Sequence, residues 1–241
     1  MRQKTLGIIG GLGPVATAHF MELVIRMTKA QTDQEHIDMV IFHTPTVPDR
    51  TAYILDHSKP NPVPKMIELG HKLAEEQADV IAIPCFTAHS FYEELSRNIP
   101  VPIVNGPLET ARYLQAHHVK KAGIMATDGT IRQGLFHKAL ESCGIEPVVP
   151  SEQGQKNVMS LIYDDVKWGR PAEMPKFRQV TEELRKKGAE VIILGCTELS
   201  MIKRDEEIGP GFLDAMEVLA MRSVVSCGKE LNEEFQNLIT K

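Results

Sequence analysis

The sequence predicts an α/β fold of two pseudo-symmetric Rossmann-like lobes, each a parallel sheet flanked by helices, with a ligand crevice between them. Three observations predict it. The stretch Ala78 to Ser90, ADVIAIPCFTAHS, returns as Ala189 to Ser200, AEVIILGCTELS, so that Cys196 falls under Cys85 at a shift of 111 residues. Flanking segments repeat as well: Gly123-Ile124 matches Gly7-Ile8 at a shift of 116, and Phe212-Leu213-Asp214 matches Ile103-Val104-Asn105 at 109. Short β-branched apolar runs also alternate with segments of helical period, which is the order of βαβ units. The unequal shifts are what loop insertions produce. They divide the chain into a first lobe of residues 1–106, rejoined by residues from about 215 to 241, and a second lobe of residues 107–214.

The elements follow in order. Thr5 to Gly11 reads as a buried strand entering the glycine turn Gly10-Gly11-Leu12-Gly13-Pro14, and Pro14 suits the first position of a helix reaching about Lys29. Asp38 to Thr44 is the second strand, and Pro45 to Pro64 is a long polar loop carrying Asp49-Arg50-Thr51. A helix over Met66 to Gln77 leads to the first cysteine strand, a helix over His89 to Arg97 follows, and Val101 to Asn105 forms a short strand before a helix to about His117. In the second half, strand Ala122 to Thr127, helix Thr130 to Ser142, strand Glu146 to Val149 and helix Gln155 to Lys167 precede Gly169-Arg170-Pro171. Glu173 to Lys187 is a helix before the second cysteine strand, and a long amphipathic helix runs from the Phe212-Leu213-Asp214 strand to the end.

Composition excludes several classes. The 241 residues, 42% apolar and 24% charged with a net charge of -5, describe a soluble globular protein large enough to bury a substantial core. No basic stripe with interleaved aromatics marks a nucleic-acid surface, and no apolar run approaches the ~18 residues of a membrane span. The start, MRQKTLGIIGG, runs into a strand without the features of a secretory signal, which places the protein in the cytoplasm with its four cysteines as free thiols.

The chemistry centres on Cys85 and Cys196. Each ends a strand, is followed closely by a threonine (Thr87, Thr197), and precedes a helix, whose N-terminus favours a thiolate over a thiol of pKa about 8.5. Two thiols facing each other across a crevice supply a base on one side of a carbon and an acid on the other. The bland reading, that both are small buried residues, explains each singly but not their shared address. Cys143 and Cys227, before glycines near helix ends, read as structural. Gly11-Leu12-Gly13-Pro14-Val15-Ala16 satisfies the dinucleotide pattern G-x-G-x-x-A, but the second strand ends in His43-Thr44 rather than the acid that would hold a ribose. His89 reads as a helix-start residue, since a lone cysteine-histidine pair is poor evidence for a metal and H-E-x-x-H is absent. Glu198 orients Thr197 or Cys196, or caps the following helix.

Pro84-Cys85-Phe86-Thr87-Ala88-His89 and Gly195-Cys196-Thr197-Glu198-Leu199 resemble the paired signatures of the aspartate/glutamate racemase superfamily, and Gly10-Gly11-Leu12-Gly13-Pro14 with Val47-Pro48-Asp49-Arg50-Thr51 is similar to its aspartate racemase branch. The resemblance covers essentially the whole chain. It implies a cofactor-independent racemase, an isomerase of D- and L-aspartate or glutamate, with its active site between the lobes and Cys85 and Cys196 as proton donor and acceptor. It further implies that Thr87, Thr197 and tip-loop residues such as Gly11 and Thr127 hold the α-groups, that Arg50 and Lys167 grip a distal carboxylate, and that the enzyme is a homodimer. Where the family has asparagine after the first cysteine, this chain has Phe86, which lacks the amide's hydrogen bonds, so another group orients the substrate or specificity or activity has changed. Other members of the superfamily are maleate isomerases, hydantoin racemases and single-cysteine arylmalonate decarboxylases, and a ligand-binding protein without catalysis is the remaining alternative.

Overall fold

The computed structural model describes residues 3–241. The first half contributes strands β1 (Thr5–Gly10), β2 (Asp38–His43) and β3 (Val80–Ala82), and the second half β4 (Lys121–Met125), β5 (Glu146–Val148), β6 (Val191–Leu194) and β7 (Phe212–Asp214). They form two sheets, in the orders β2-β1-β3 and β5-β4-β6-β7, and every ladder is parallel. Parallel neighbours need crossovers, and helices supply them. These are α1 (Pro14–Met27), α2 (Arg50–Leu55), α3 (Val63–Glu75), α4 (Tyr92–Asn98) and α5 (Gly106–Ala116), then α6 (Asp128–Arg132), α7 (Leu135–Ser142), α8 (Glu152–Ser160), α9 (Met174–Lys186), α10 (Thr197–Asp205) and α11 (Ala215–Ser226).

The central strands are apolar on both faces because both are covered: Leu6, Ile8 and Ile9 of β1 and Ile193 and Leu194 of β6 are fully buried. One continuous core runs from Leu6 and Ile8 to Ile124 and Ile193, with Phe20 and Leu219 among the side chains between, and α11 packs on both α1 and α5. The halves are thus joined through apolar packing and not only by chain connectivity.

Several segments depart from the pattern expected of them. The loop after β2 contains α2, because Asp49 Oδ1 accepts the Ala52 N–H at 2.7 Å and starts a helix there. Val101 to Asn105 does not become a strand. Ile103 makes a single bridge to Ile81, flanked by bonds from the Ile81 N–H to the Pro102 carbonyl (2.8 Å) and from the Val104 N–H to the Ile81 carbonyl (2.9 Å), and Pro102 has no N–H to continue the ladder. The helix expected over Thr130 to Ser142 is broken into α6 and α7 at Gly134, whose φ of 63° is left-handed. After Cys85 a 3-10 turn, Phe86–Phe91, precedes α4, and after α8 the chain tightens through a π turn, Leu161–Asp165, and a 3-10 turn, Val166–Trp168. The last helix stops at Ser226. Gly228 (φ 80°) turns the tail back, and it bridges Thr28 through Leu231 and Leu213 through Ile239. Among the described residues, no helix is long and apolar enough to cross a membrane.

Candidate active site

Both cysteines occupy the same local structure. Each lies just beyond a strand, in extended backbone (φ -157°, ψ 102° at Cys85; φ -137°, ψ 140° at Cys196), at the N-cap of a helical turn. Both are buried, and both line one inner cleft with Leu12, Arg50, Tyr163 and Lys167. The cleft is closed: its volume of about 10 Å³ holds roughly one water.

The surroundings of the two sulfurs are opposite in charge. Cys196 Sγ donates to Glu198 Oε2 at 2.9 Å, and the Thr197 hydroxyl donates to the same oxygen at 3.1 Å. Burial first, and the Glu198 charge second, push the Cys196 thiol well above the ordinary thiol range, against a smaller opposing pull from Lys167. Cys85 faces a cation instead. Burial works to lower the Arg50 pKa, but the charges of Cys85, Asp49 and Tyr163 outweigh it and the guanidinium stands above its ordinary value. Sequence reasoning expected the pair of thiols but not this polarity across them.

Arg50 opens α2 and is buried by its own hydrogen bonds. Nη1 donates to the carbonyls of Val47 (3.2 Å) and Pro48 (3.0 Å), and Nη2 to that of Leu12 (3.1 Å). Its Nε is buried without a hydrogen-bond partner, on a guanidinium that also lies against the Cys85 thiol. Lys167 sits on the 3-10 turn after the π turn, with Nζ 4.1 Å above the Tyr163 ring and 3.9 Å from Glu198 Oε1. Burial would lower its pKa, yet Glu198, Tyr163 and both cysteines together raise it, so the ammonium stays charged at neutral pH.

Thr87 and Thr127 meet across the two halves. Their hydroxyls are 2.9 Å apart, and each also meets the Thr130 hydroxyl, at 3.2 and 3.1 Å, closing a buried triangle. Three hydroxyls carry three hydrogens, so the triangle can satisfy itself with none left over. Phe86 borders the cleft, but its ring is 2% exposed and packs 5.6 Å from both the Phe136 and the His89 rings. Phe136 in turn lies over Gly195, its Cε2 only 2.6 Å from where a Cβ would stand, so the residue before Cys196 has to be glycine. His89 donates from Nε2 to the Ile83 carbonyl (3.1 Å), which also takes the Cys85 N–H (2.7 Å); burial lowers its pKa to about 4 and keeps it neutral.

Gly11 lies outside the inner cleft. With φ 87° and the Thr44 backbone 2.5 Å from a would-be Cβ, it makes the turn after β1 and lines a larger outer pocket of about 780 Å³ that shares Asp49, Arg50, Lys167 and Glu198 with the cleft. The site thus gathers Cys85, Cys196, Arg50, Phe86, Thr87, Thr127, Lys167, Thr197 and Glu198 at one cleft and sets Gly11 at its mouth. Sequence reasoning missed Tyr163, Thr130 and Thr51. Tyr163 stands four residues before Lys167 on a helical stretch, and Thr130 three after the N-cap Thr127, spacings that put side chains on one face.

The Asp/Glu/Hydantoin racemase family model matches residues 9–222. The chain is 29% identical to the broad specificity amino-acid racemase RacX of Bacillus subtilis (strain 168) over 223 residues, which is 91% of this chain and 96% of that protein. Its fold is similar to that of the Picrophilus torridus aspartate racemase, with a TM-score of 0.81 and 28% identity over 97% of this chain and 98% of that one. An aspartate racemase homologue from Pyrococcus horikoshii shares the fold at a TM-score of 0.75 and 21% identity, over 95% of this chain and all of that one (100%).

Proposed function

The chain belongs to the Asp/Glu/hydantoin racemase family, and from that premise we propose that it interconverts the enantiomers of an acidic amino acid by proton transfer between Cys85 and Cys196 without a cofactor. The observation that carries this reading is one cleft bounded by two thiols of opposite electrostatic setting, Cys85 beside the Arg50 cation and Cys196 donating to the Glu198 carboxylate. One thiol is thus held beside a carboxylate that takes its hydrogen bond, and the other stands beside a cation.

The Cys85 thiolate takes the Cα proton, breaking Cα–H and forming S–H, and the electron pair delocalises into the α-carboxylate. The Cys196 S–H bond then breaks and delivers its proton to the opposite face of Cα, giving the other enantiomer and a Cys196 thiolate. In the reverse direction the roles exchange. The carbanion charge is the costly part, and hydrogen-bond donors aimed at the carboxylate lower that cost. Thr87, Thr127 and Thr197 supply hydroxyls on the inner side of the cleft, and engaging them opens the threonine triangle. Arg50 offers its unpartnered Nε edge and Lys167 its ammonium to the distal carboxylate. An amino acid does not fit about 10 Å³, so the two halves part to admit it and close before proton transfer.

An acidic substrate is supported by these two cations and by the likeness to the Picrophilus torridus aspartate racemase. Incubating the protein with L-aspartate in deuterated water tests the proposal. Deuterium should enter Cα of both enantiomers, and Cys85→Ser and Cys196→Ser should each abolish racemisation. Full activity in either variant would remove that thiol from the mechanism.

A further inference from the structure

Outside the catalytic cleft lies a cavity far larger than a free aspartate needs. Its volume of about 780 Å³ falls within the ~300–1,000 Å³ of pockets that take much bulkier ligands. Its floor is the set of residues it shares with the cleft: Asp49, Arg50, Lys167 and Glu198. The rest of its lining sets apolar side chains, Val15, Ala16 and Val47 from the first half of the chain and Val166, Ala172 and Ile202 from the second, beside the charged residues Arg170, Arg204, Asp205 and Glu206. Val15, on this lining, leaves 63% of its surface exposed, so it offers an apolar contact that a ligand entering the cavity can cover.

Direction follows from what the cleft leaves open. Cα has to lie between the two sulfurs, and the buried threonine hydroxyls occupy the inner side, where the α-groups go. The continuation away from that side passes Arg50 and Lys167 and enters the outer cavity. Charge at the rim is balanced, since Arg204 is paired with Asp205 at 2.6 Å and Arg170 is held over the Trp168 ring. On the floor both carboxylates already accept hydrogen bonds, Asp49 from the Ala52 N–H and Glu198 from Cys196 and Thr197, while Arg50 Nε has no partner, so the floor offers a donor to the chain end and not a free acceptor.

We infer that the outer cavity is the side-chain subsite of this enzyme, and that its preferred substrates are α-amino acids with side chains longer than aspartate's, aliphatic along the stem and neutral or acidic at the end. This rests on the racemase reading and names the substrate class of the same site. The intact protein in deuterated water, given L-aspartate, L-glutamate, L-2-aminoadipate and L-norleucine separately, tests it by the rate of deuterium entry at Cα. Exchange efficiency should rise by about tenfold from aspartate to the longer members, as burial of two further methylenes provides. Val15→Trp, at an exposed position where folding is not at stake, should cut exchange of the two longest about tenfold and leave aspartate within about twofold, and Ala172→Trp, from the second half of the chain, should do the same. Equal or slower exchange of the longer compounds, or equal losses for aspartate in both tryptophan variants, overturns the subsite. Exchange with none of the four overturns the racemase reading itself, a result distinct from exchange with aspartate alone.

Discussion

Glu198→Gln separates the two thiols most sharply. The Cys196 thiol donates to Glu198 at 2.9 Å, and that carboxylate is one cause of a thiol pKa well above the ordinary range. A hydrogen bond to a charged group is worth about 1.5–3 kcal/mol, and about 1.4 kcal/mol corresponds to one pKa unit. Neutralising Glu198 should therefore bring the Cys196 pKa down. The sign is fixed: the transfer that starts from a Cys85 thiolate needs Cys196 protonated, so activity in that direction fails as pH rises through the Cys196 pKa. In the parent protein that alkaline limb lies above the ordinary thiol range. In the glutamine variant it should move to lower pH. Racemisation of each enantiomer, followed by optical rotation from pH 6 to 11, reads the limb directly. Because the equilibrium constant between enantiomers is one, kcat/KM has to remain equal for both, and the change has to appear in the pH profile and in kcat and KM separately. An unmoved limb, or one displaced to higher pH, would refute the role given to Glu198.

Four further outcomes are expected. Arg50→Lys keeps a charge but loses the Nε edge, and should raise KM for aspartate about tenfold or more while leaving KM for norleucine within about twofold, measured by the same exchange assay. Phe86→Asn opens space beside Phe136 and leaves a buried amide, and should cost about 3–5 kcal/mol in urea unfolding, with no gain in aspartate turnover. Gly195→Ala forces a methyl against the Phe136 ring and the Met125 carbonyl, and should lower both stability and activity, visible in the melting temperature and in deuterium exchange. Burial, and then Asp214, raise the Glu217 carboxyl to about 7. Its contribution to stability is complete below its ordinary value of 4.5 and is lost as pH rises through about 7, so Glu217→Gln should gain melting temperature relative to the parent at pH 8 compared with pH 5.

Much of this was legible in the chain. Buried parallel strands show as runs such as VIILGC because both faces are covered, and the repetition of a cysteine at the same strand end located the centre of the site. The misreadings have local causes. Asp49 starting α2 is one side-chain hydrogen bond inside a proline-rich stretch, and Gly134 breaking a helix is one backbone angle, and neither alters hydrophobic period. The polarity of the thiols was hidden because Arg50 and Cys85 are 35 residues apart and meet only through the sheet order β2-β1-β3. Phe86 was read for what it lacks beside a substrate. Its ring turns instead toward Phe136, a partner 50 residues away that no periodicity reveals.

That ring pair has a consequence for how the repeat can change. Phe86 adjoins one thiol-bearing tip, while Phe136 rests on the glycine before the other, so each half supplies the ruler by which the opposite half is spaced. Units related by internal duplication ordinarily drift apart one substitution at a time. Here a smaller ring on one side leaves a gap that only a larger neighbour on the other can close, and a hybrid joining this N-terminal half to a relative's C-terminal half would assemble with its sulfurs misaligned unless both aromatic positions travelled together.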